Sequence, residues 1–109
     1  MIYSPTGYTI LKLQSAEEPS GFIYKVMGSW DGSYLEGESW RVNSGIESID
    51  DKGDYLHLNG FSGSTYVVRK EGRGLNTFAM GVLQGFLQDT EVVVEIITTE
   101  ELLEAFNES

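Results

Sequence analysis

One change of rhythm governs what this chain can fold into. Up to Arg69 the apolar residues recur every second position, the period of a half-buried strand, and after Gly72-Arg73-Gly74 they recur at helical spacing. Phe22, Tyr24, Val26 and Trp30 share one strand face, with Lys25 and Ser29 on the other. Trp40, Val42 and Ile46 alternate with Arg41, Asn43 and Glu47. Leu56 and Leu58 alternate with Tyr55, His57 and Asn59, and Tyr66 and Val68 resume the pattern. Gly60-Phe61-Ser62-Gly63-Ser64 and Asp50-Asp51-Lys52-Gly53-Asp54 read as turns between strands. Tyr8 to Gln14 is apolar but alternates poorly, which makes it a weaker strand.

Past the glycines, Phe78, Ala79, Val82, Leu83, Phe86 and Leu87 form a helical stripe, with Asn76 or Thr77 placed to cap it. Gly81 and Gly85, one turn apart, each cost about 1 kcal/mol relative to Ala and predict a close approach by a neighbouring element. Val92, Val94 and Ile96 then alternate with Glu91, Val93 and Glu95. Thr98-Thr99-Glu100-Glu101 has the form of a capping box opening a last helix, with Leu102, Leu103 and Phe106 as its apolar stripe. The order predicts one α+β domain over 1–109. Its antiparallel sheet has about five or six strands, an N-terminal meander first, with two helices in the C-terminal third packed on one face.

The chain has 109 residues, enough for one core, and 40% of them are apolar. It holds no cysteine, which removes disulfides, thiolate metal sites and thiol nucleophiles. No apolar run approaches the roughly 20 residues that cross a bilayer, and the N-terminus lacks the features of a signal peptide. The expectation is a cytoplasmic protein with no membrane partner.

The candidate chemistry is thin. His57 lies near Asp54, Ser62 and Ser64 in sequence, but catalytic triads are assembled by geometry, and a Gly-Ser turn is the better account. Asp50, Asp51 and Asp54 lack the alternating spacing and distant Glu of a calcium loop; they read as a polar turn, with Lys52 offsetting repulsion. One histidine and no cysteine suit neither zinc nor copper. Arg69, Lys70 and Arg73 precede a helix start where an anion could sit, yet no phosphate-binding motif is present. Glu91 and Glu95 stand about 13 Å apart on one strand, too far for paired carboxylate catalysis. No enzyme, metal or cofactor is expected.

Charge carries the functional expectation. Seventeen acids against seven bases give a net charge of −10. That field repels nucleic acid and favours a basic partner protein. From Asp89 to Ser109 the chain has acids and no base, and Glu91, Glu95, Glu100, Glu101 and Glu104 could form one negative face. A second candidate surface is the loop from Trp30 to Glu38, where Tyr34 and Leu35 stand among Asp31, Glu36 and Glu38. Trp30 could instead turn into the core. The leading expectation is a small acidic inhibitor that occludes a basic, nucleic-acid-handling protein. Phage counter-defence proteins of the anti-CRISPR kind and immunity proteins or antitoxins that cap a nuclease have this build. A non-catalytic subunit or adaptor of a larger assembly is the alternative, and an enzyme with a site hidden from sequence reading is the third.

Overall fold

In the computed structural model, which describes residues 1–15, 21–31, 39–88 and 92–107, the strands divide between two sheets instead of forming one. In chain order the elements are β1 (Ile2–Tyr3), β2 (Gly7–Ser15), β3 (Phe22–Trp30), β4 (Ser39–Val42), β5 (Ile46–Asp51), β6 (Tyr55–Gly60), β7 (Thr65–Arg69), α1 (Thr77–Leu87), β8 (Val92–Ile97) and α2 (Thr99–Asn107). One four-stranded sheet has the order β1-β7-β6-β5 and the other β4-β3-β2-β8. All pairings between these strands are antiparallel except β1 with β7.

The expected meander breaks after β4. Trp40, Val42 and Ile46 keep their alternation, but the chain leaves one sheet at Val42 and enters the other at Ile46. Asn43 manages the exit. Its backbone N–H donates to the Val26 carbonyl (3.1 Å), and its Oδ1 accepts from the Val26 N–H (2.9 Å). A side chain thus completes the ladder where the strand has ended, so Asn43 is buried without stranding the Val26 amide. Gly45 makes the turn at φ +135°, a conformation disfavoured for residues with a Cβ, and an added Cβ would also meet the Phe61 ring at 2.9 Å.

Two cores result, one on each face of the β4-β3-β2-β8 sheet. Ile10, Val26 and Ile97 meet Ile46, Leu56, Leu58, Tyr66 and Val68 of the other sheet, with Leu102 of α2. On the reverse face Leu11 and Met27 pack against Ala79 and Leu83 of α1. The expectation that both helices pack on one face is thus corrected: α1 and α2 lie on opposite sides of this sheet. Each fully buried aliphatic side chain contributes roughly 1.5–3 kcal/mol by leaving water.

The start of α1 is held by the connection that precedes it. Gly7 lies so close to the Gly74 carbonyl that a Cβ has no room there. That proximity lets the Tyr8 N–H donate to the Arg73 carbonyl (2.9 Å) and the Tyr8 hydroxyl to the Arg69 carbonyl (2.6 Å). Asn76 then caps the helix, its Oδ1 accepting from the Ala79 N–H at 2.8 Å, while its own N–H donates to the Ser29 hydroxyl at 3.2 Å. Ser29, expected on an outward face, is buried beneath this junction.

Two expectations about apolar faces are corrected. Among the described residues a Cβ at Gly81 or Gly85 would meet nothing within 4 Å, so neither glycine accommodates a neighbour there. In β8 the buried residue is Ile97, whereas Ile96 is 47% exposed, because Ile97 faces the inter-sheet core through its pairing with Ile10.

Tyr66 lies in the inter-sheet core against Tyr3, ring centroids 5.0 Å apart, and its hydroxyl finds no hydrogen-bond partner among the described residues. Burial pushes its pKa up to about 12, with nearby Arg41 pulling slightly the other way.

Two outcomes follow from these buried polar groups. Asn43→Ala leaves the Val26 amide unpaired and is expected to cost about 1–3 kcal/mol in a urea melt. Tyr66 holds its proton more tightly folded than unfolded, so its contribution is complete below the ordinary phenol pKa of 10.0 and is lost as pH rises through about 12. Burial also raises the Tyr8 phenol, so ultraviolet titration should show a late phase that includes Tyr66 and accompanies unfolding, and Tyr66→Phe should reduce that phase by one phenol.

Candidate functional site: an acidic groove between β8 and α2

The antiparallel pairing of β2 with β8 sets Glu95 opposite Lys12, and the pairing of β2 with β3 sets Tyr24 opposite Lys12 on the other side. By strand alternation all three project to the face that carries Ile10 and Val26. The chain then turns at Thr98 into α2. There the expected capping box forms: the Thr98 hydroxyl accepts from the Glu101 N–H (3.1 Å), and Glu101 Oε1 accepts from the Thr98 N–H (3.2 Å). Phe106 anchors the far end of the helix against Tyr24, centroids 5.7 Å apart and edge to face.

With both ends of α2 fixed, Glu101, Glu104 and Ala105 recur at i, i+3 and i+4 and turn toward β8. Glu95, Glu101 and Glu104 thereby line one surface groove of about 230 Å³, with Lys12, Tyr24, Ile97 and Ala105. The Lys12 ammonium lies 4.1 Å from the centre of the Phe22 ring and makes no ion pair with Glu95. Three carboxylates and one ammonium leave the groove with net negative charge. A cationic side chain entering it would find acceptors from two elements and an aromatic wall.

The other candidate residues fall elsewhere. Glu100 is exposed on α2 and does not line the groove. Asp31 follows β3 at the Gly7 end of β2, more than roughly 15 Å along the strand from Lys12 by strand rise, and its carboxylate lies 3.8 Å from the Arg73 guanidinium. Glu91, Tyr34, Leu35, Glu36 and Glu38 lie outside the described residues. Trp30 turns inward, packing edge to face on Tyr3 with centroids 6.2 Å apart. Lys12 and Tyr24 were missed in the sequence reading. Their signal was register: a single base in an apolar strand, facing an acid only once β2 is paired with β8.

Glu100 and Glu101 also have a structural use, since carboxylates in a helix's first turn oppose its dipole. Glu101 is therefore both cap and groove wall, and reversing its charge would confound fold with function.

The alternative chemistries find no assembled site. No hydrogen bond among the described residues joins His57 to Asp54, Ser62 or Ser64. The Gly60 N–H donates instead to the Ser64 carbonyl (2.7 Å), closing a turn. Asp51 pairs with Lys70 at 2.9 Å, not with Lys52, and that hydrogen bond, helped by the Gly53 N–H, holds its carboxyl below the usual range. The bases before α1 are engaged: Lys70 with Asp51, Arg73 with Asp31, and Arg69 over the Tyr55 ring at 5.7 Å. Among the described residues no group of three His, Asp or Glu side chains could hold a metal ion. Among the described residues no helix is long and apolar enough to cross a membrane.

Compared with known proteins, the chain matches no family model, no curated protein and no solved structure.

The cap and the charge of Glu101 can be separated. Thr98→Ala should lower stability by about 1 kcal/mol, because the first turn loses its acceptor. Glu101→Gln, which keeps an oxygen for the Thr98 N–H, should cost appreciably less. Paired thermal melts measure both.

Proposed function

We propose that the protein acts without catalysis, as a small acidic inhibitor that occludes a basic, nucleic-acid-handling protein and engages it through the β8–α2 groove. The observation that carries this reading is the convergence of Glu95, Glu101 and Glu104 on one groove beside Tyr24. The net charge of −10 supports it, because a field of that sign draws basic surfaces in and keeps nucleic acid away. Carboxylates held by a strand and a capped helix can stand where phosphates would lie in a partner's cleft. Asp31, paired with Arg73, and Glu100, outside the groove, are secondary contributors to the long-range field.

A second reading, a non-catalytic subunit or adaptor, takes support from β8. This strand ends its sheet, and Val93 and Ile96 are 57% and 47% exposed. An apolar edge strand is a template for another chain's strand.

The test is capture from bacterial lysate on the immobilised protein, with a salt step for elution and mass spectrometry for identification. The inhibitor reading expects a basic nucleic-acid-handling protein, released by salt and unaffected by nuclease. The combined variant Glu95→Lys, Glu101→Gln, Glu104→Lys should keep its fold and lower the association rate at least about tenfold. Undiminished binding by that variant would remove the groove from the interface. Salt-resistant recovery of an acidic assembly would favour the subunit reading.

A further inference from the structure

Asn59 and Gly60 set a side-chain amide beside an unhindered backbone nitrogen. The amide nitrogen that follows an asparagine can add to the side-chain carbonyl carbon. A β-carbon on the following residue impedes that approach, and glycine has none. Asn43, Asn76 and Asn107 precede Ser44, Thr77 and Glu108, so Asn59 alone precedes glycine. The fold requires that glycine. Gly60 is buried, and a Cβ on it would lie 3.2 Å from the Ser64 carbonyl oxygen and 3.3 Å from that of Gly45. The reactive pair is therefore built into the turn between β6 and β7.

The same turn restrains both reacting groups. Asn59 projects to the outer face of β6, opposite Leu58 and Gly60. There its Nδ2 donates to the Ser48 hydroxyl and to Asp50 Oδ2, both at 3.1 Å, and its Oδ1 accepts from the Thr65 hydroxyl at 2.9 Å. The side chain is thus pinned to both neighbouring strands. The nitrogen that would attack is engaged as well, since the Gly60 N–H donates to the Ser64 carbonyl at 2.7 Å.

We propose that Asn59 is a deamidation site, closed while the β6–β7 turn is formed and opened when that turn comes apart. Once these hydrogen bonds are lost, the Gly60 nitrogen bonds to Asn59 Cγ and the Cγ–Nδ2 bond breaks. Ammonia leaves, carrying the proton given up by Gly60. Water then opens the succinimide. Addition at Cγ yields aspartate, and addition at the backbone carbonyl yields isoaspartate, with an extra methylene in the main chain.

Either product opposes reclosure. Where Nδ2 donated to Asp50, an oxygen now faces that carboxylate, and a donor–acceptor pair becomes two like charges. The isoaspartyl form also lengthens β6 at the residue that pairs with both Ser48 and Thr65. Local opening is reversible and deamidation is not, so the modification records opening and favours more of it.

Peptide mass spectrometry tests this on the full chain, incubated at mildly alkaline pH either folded in buffer or unfolded in guanidinium chloride. Asn59 is expected to exchange NH2 for OH at least about tenfold more slowly in the folded chain, because only the open fraction reacts. Ser48→Ala with Thr65→Ala, which frees the side chain on an outer face, should speed the reaction in the folded chain. Asn59→Gln should suppress it. In thermal melts Asn59→Asp should lower the melting temperature, and Asp50→Asn added to it should recover most of that loss by setting an amide against a carboxylate again. Equal rates folded and unfolded overturn the proposal, as does an Asn59 that stays intact in denaturant. So does a folded rate that the paired alanine variant leaves unchanged, or an Asn59→Asp chain that melts like the parent or is not rescued by Asp50→Asn.

Discussion

The structure depends on one sheet being buried on both faces. Ile10 and Leu11 are consecutive in β2 and Val26 and Met27 consecutive in β3, so in each strand one side chain enters each core. Ile10 pairs with Val26 across the ladder, which sets the register that delivers Met27 and Leu11 to α1. Everything else is arranged about this middle layer. The second sheet covers one face with a conventional half-buried pattern, Leu56, Leu58, Tyr66 and Val68 inward and Tyr55, His57 and Arg69 outward. The α1 helix covers part of the other face. Losing either core would expose the middle sheet on that side, so the two layers are expected to be coupled energetically although they do not touch through it.

That arrangement explains what the sequence could and could not reveal. Strands β3, β6 and β7, α1 and the cap of α2 were legible because their signals are local: alternation, a change of period, an Asn or Thr placed before an apolar stripe; β5 was not, since Asp50 and Asp51, which read as a turn, belong to it. The weak alternation of Tyr8 to Gln14 was the imprint of double burial. A strand covered on both faces reads as an apolar run, not as an alternating one. The division into two sheets was not legible from alternation, since Trp40, Val42 and Ile46 keep the same parity whether or not the chain changes sheets between them. The available clue was Asn43-Ser44-Gly45, a polar residue able to imitate backbone followed by a glycine able to turn.

The candidate site was legible in composition and illegible in assembly. The acids of the C-terminal stretch could be counted, but which of them converge depends on the register of β8 against β2 and on the direction in which Thr98 launches α2. Those two features select Glu95, Glu101 and Glu104 and set Glu100 aside. They also bring in Lys12 and Tyr24, which no charge count would have named. Asp31 was grouped with the loop that follows it, yet its carboxylate reaches back to Arg73 at the mouth of α1. The lesson of Glu101 is that an acid at a helix start has a structural reason to be there before it has a functional one.

The groove and α1 lie on opposite faces of the middle sheet, and that separation has a physical consequence. Tyr24, Glu95 and Lys12 project with Ile10 and Val26, while α1 rests on Leu11 and Met27. Carboxylates gathered on one face concentrate the negative field there, and α1, which carries no charged residue, adds nothing to it on the reverse. Substitutions in the groove can therefore change that field without touching the residues on which α1 packs.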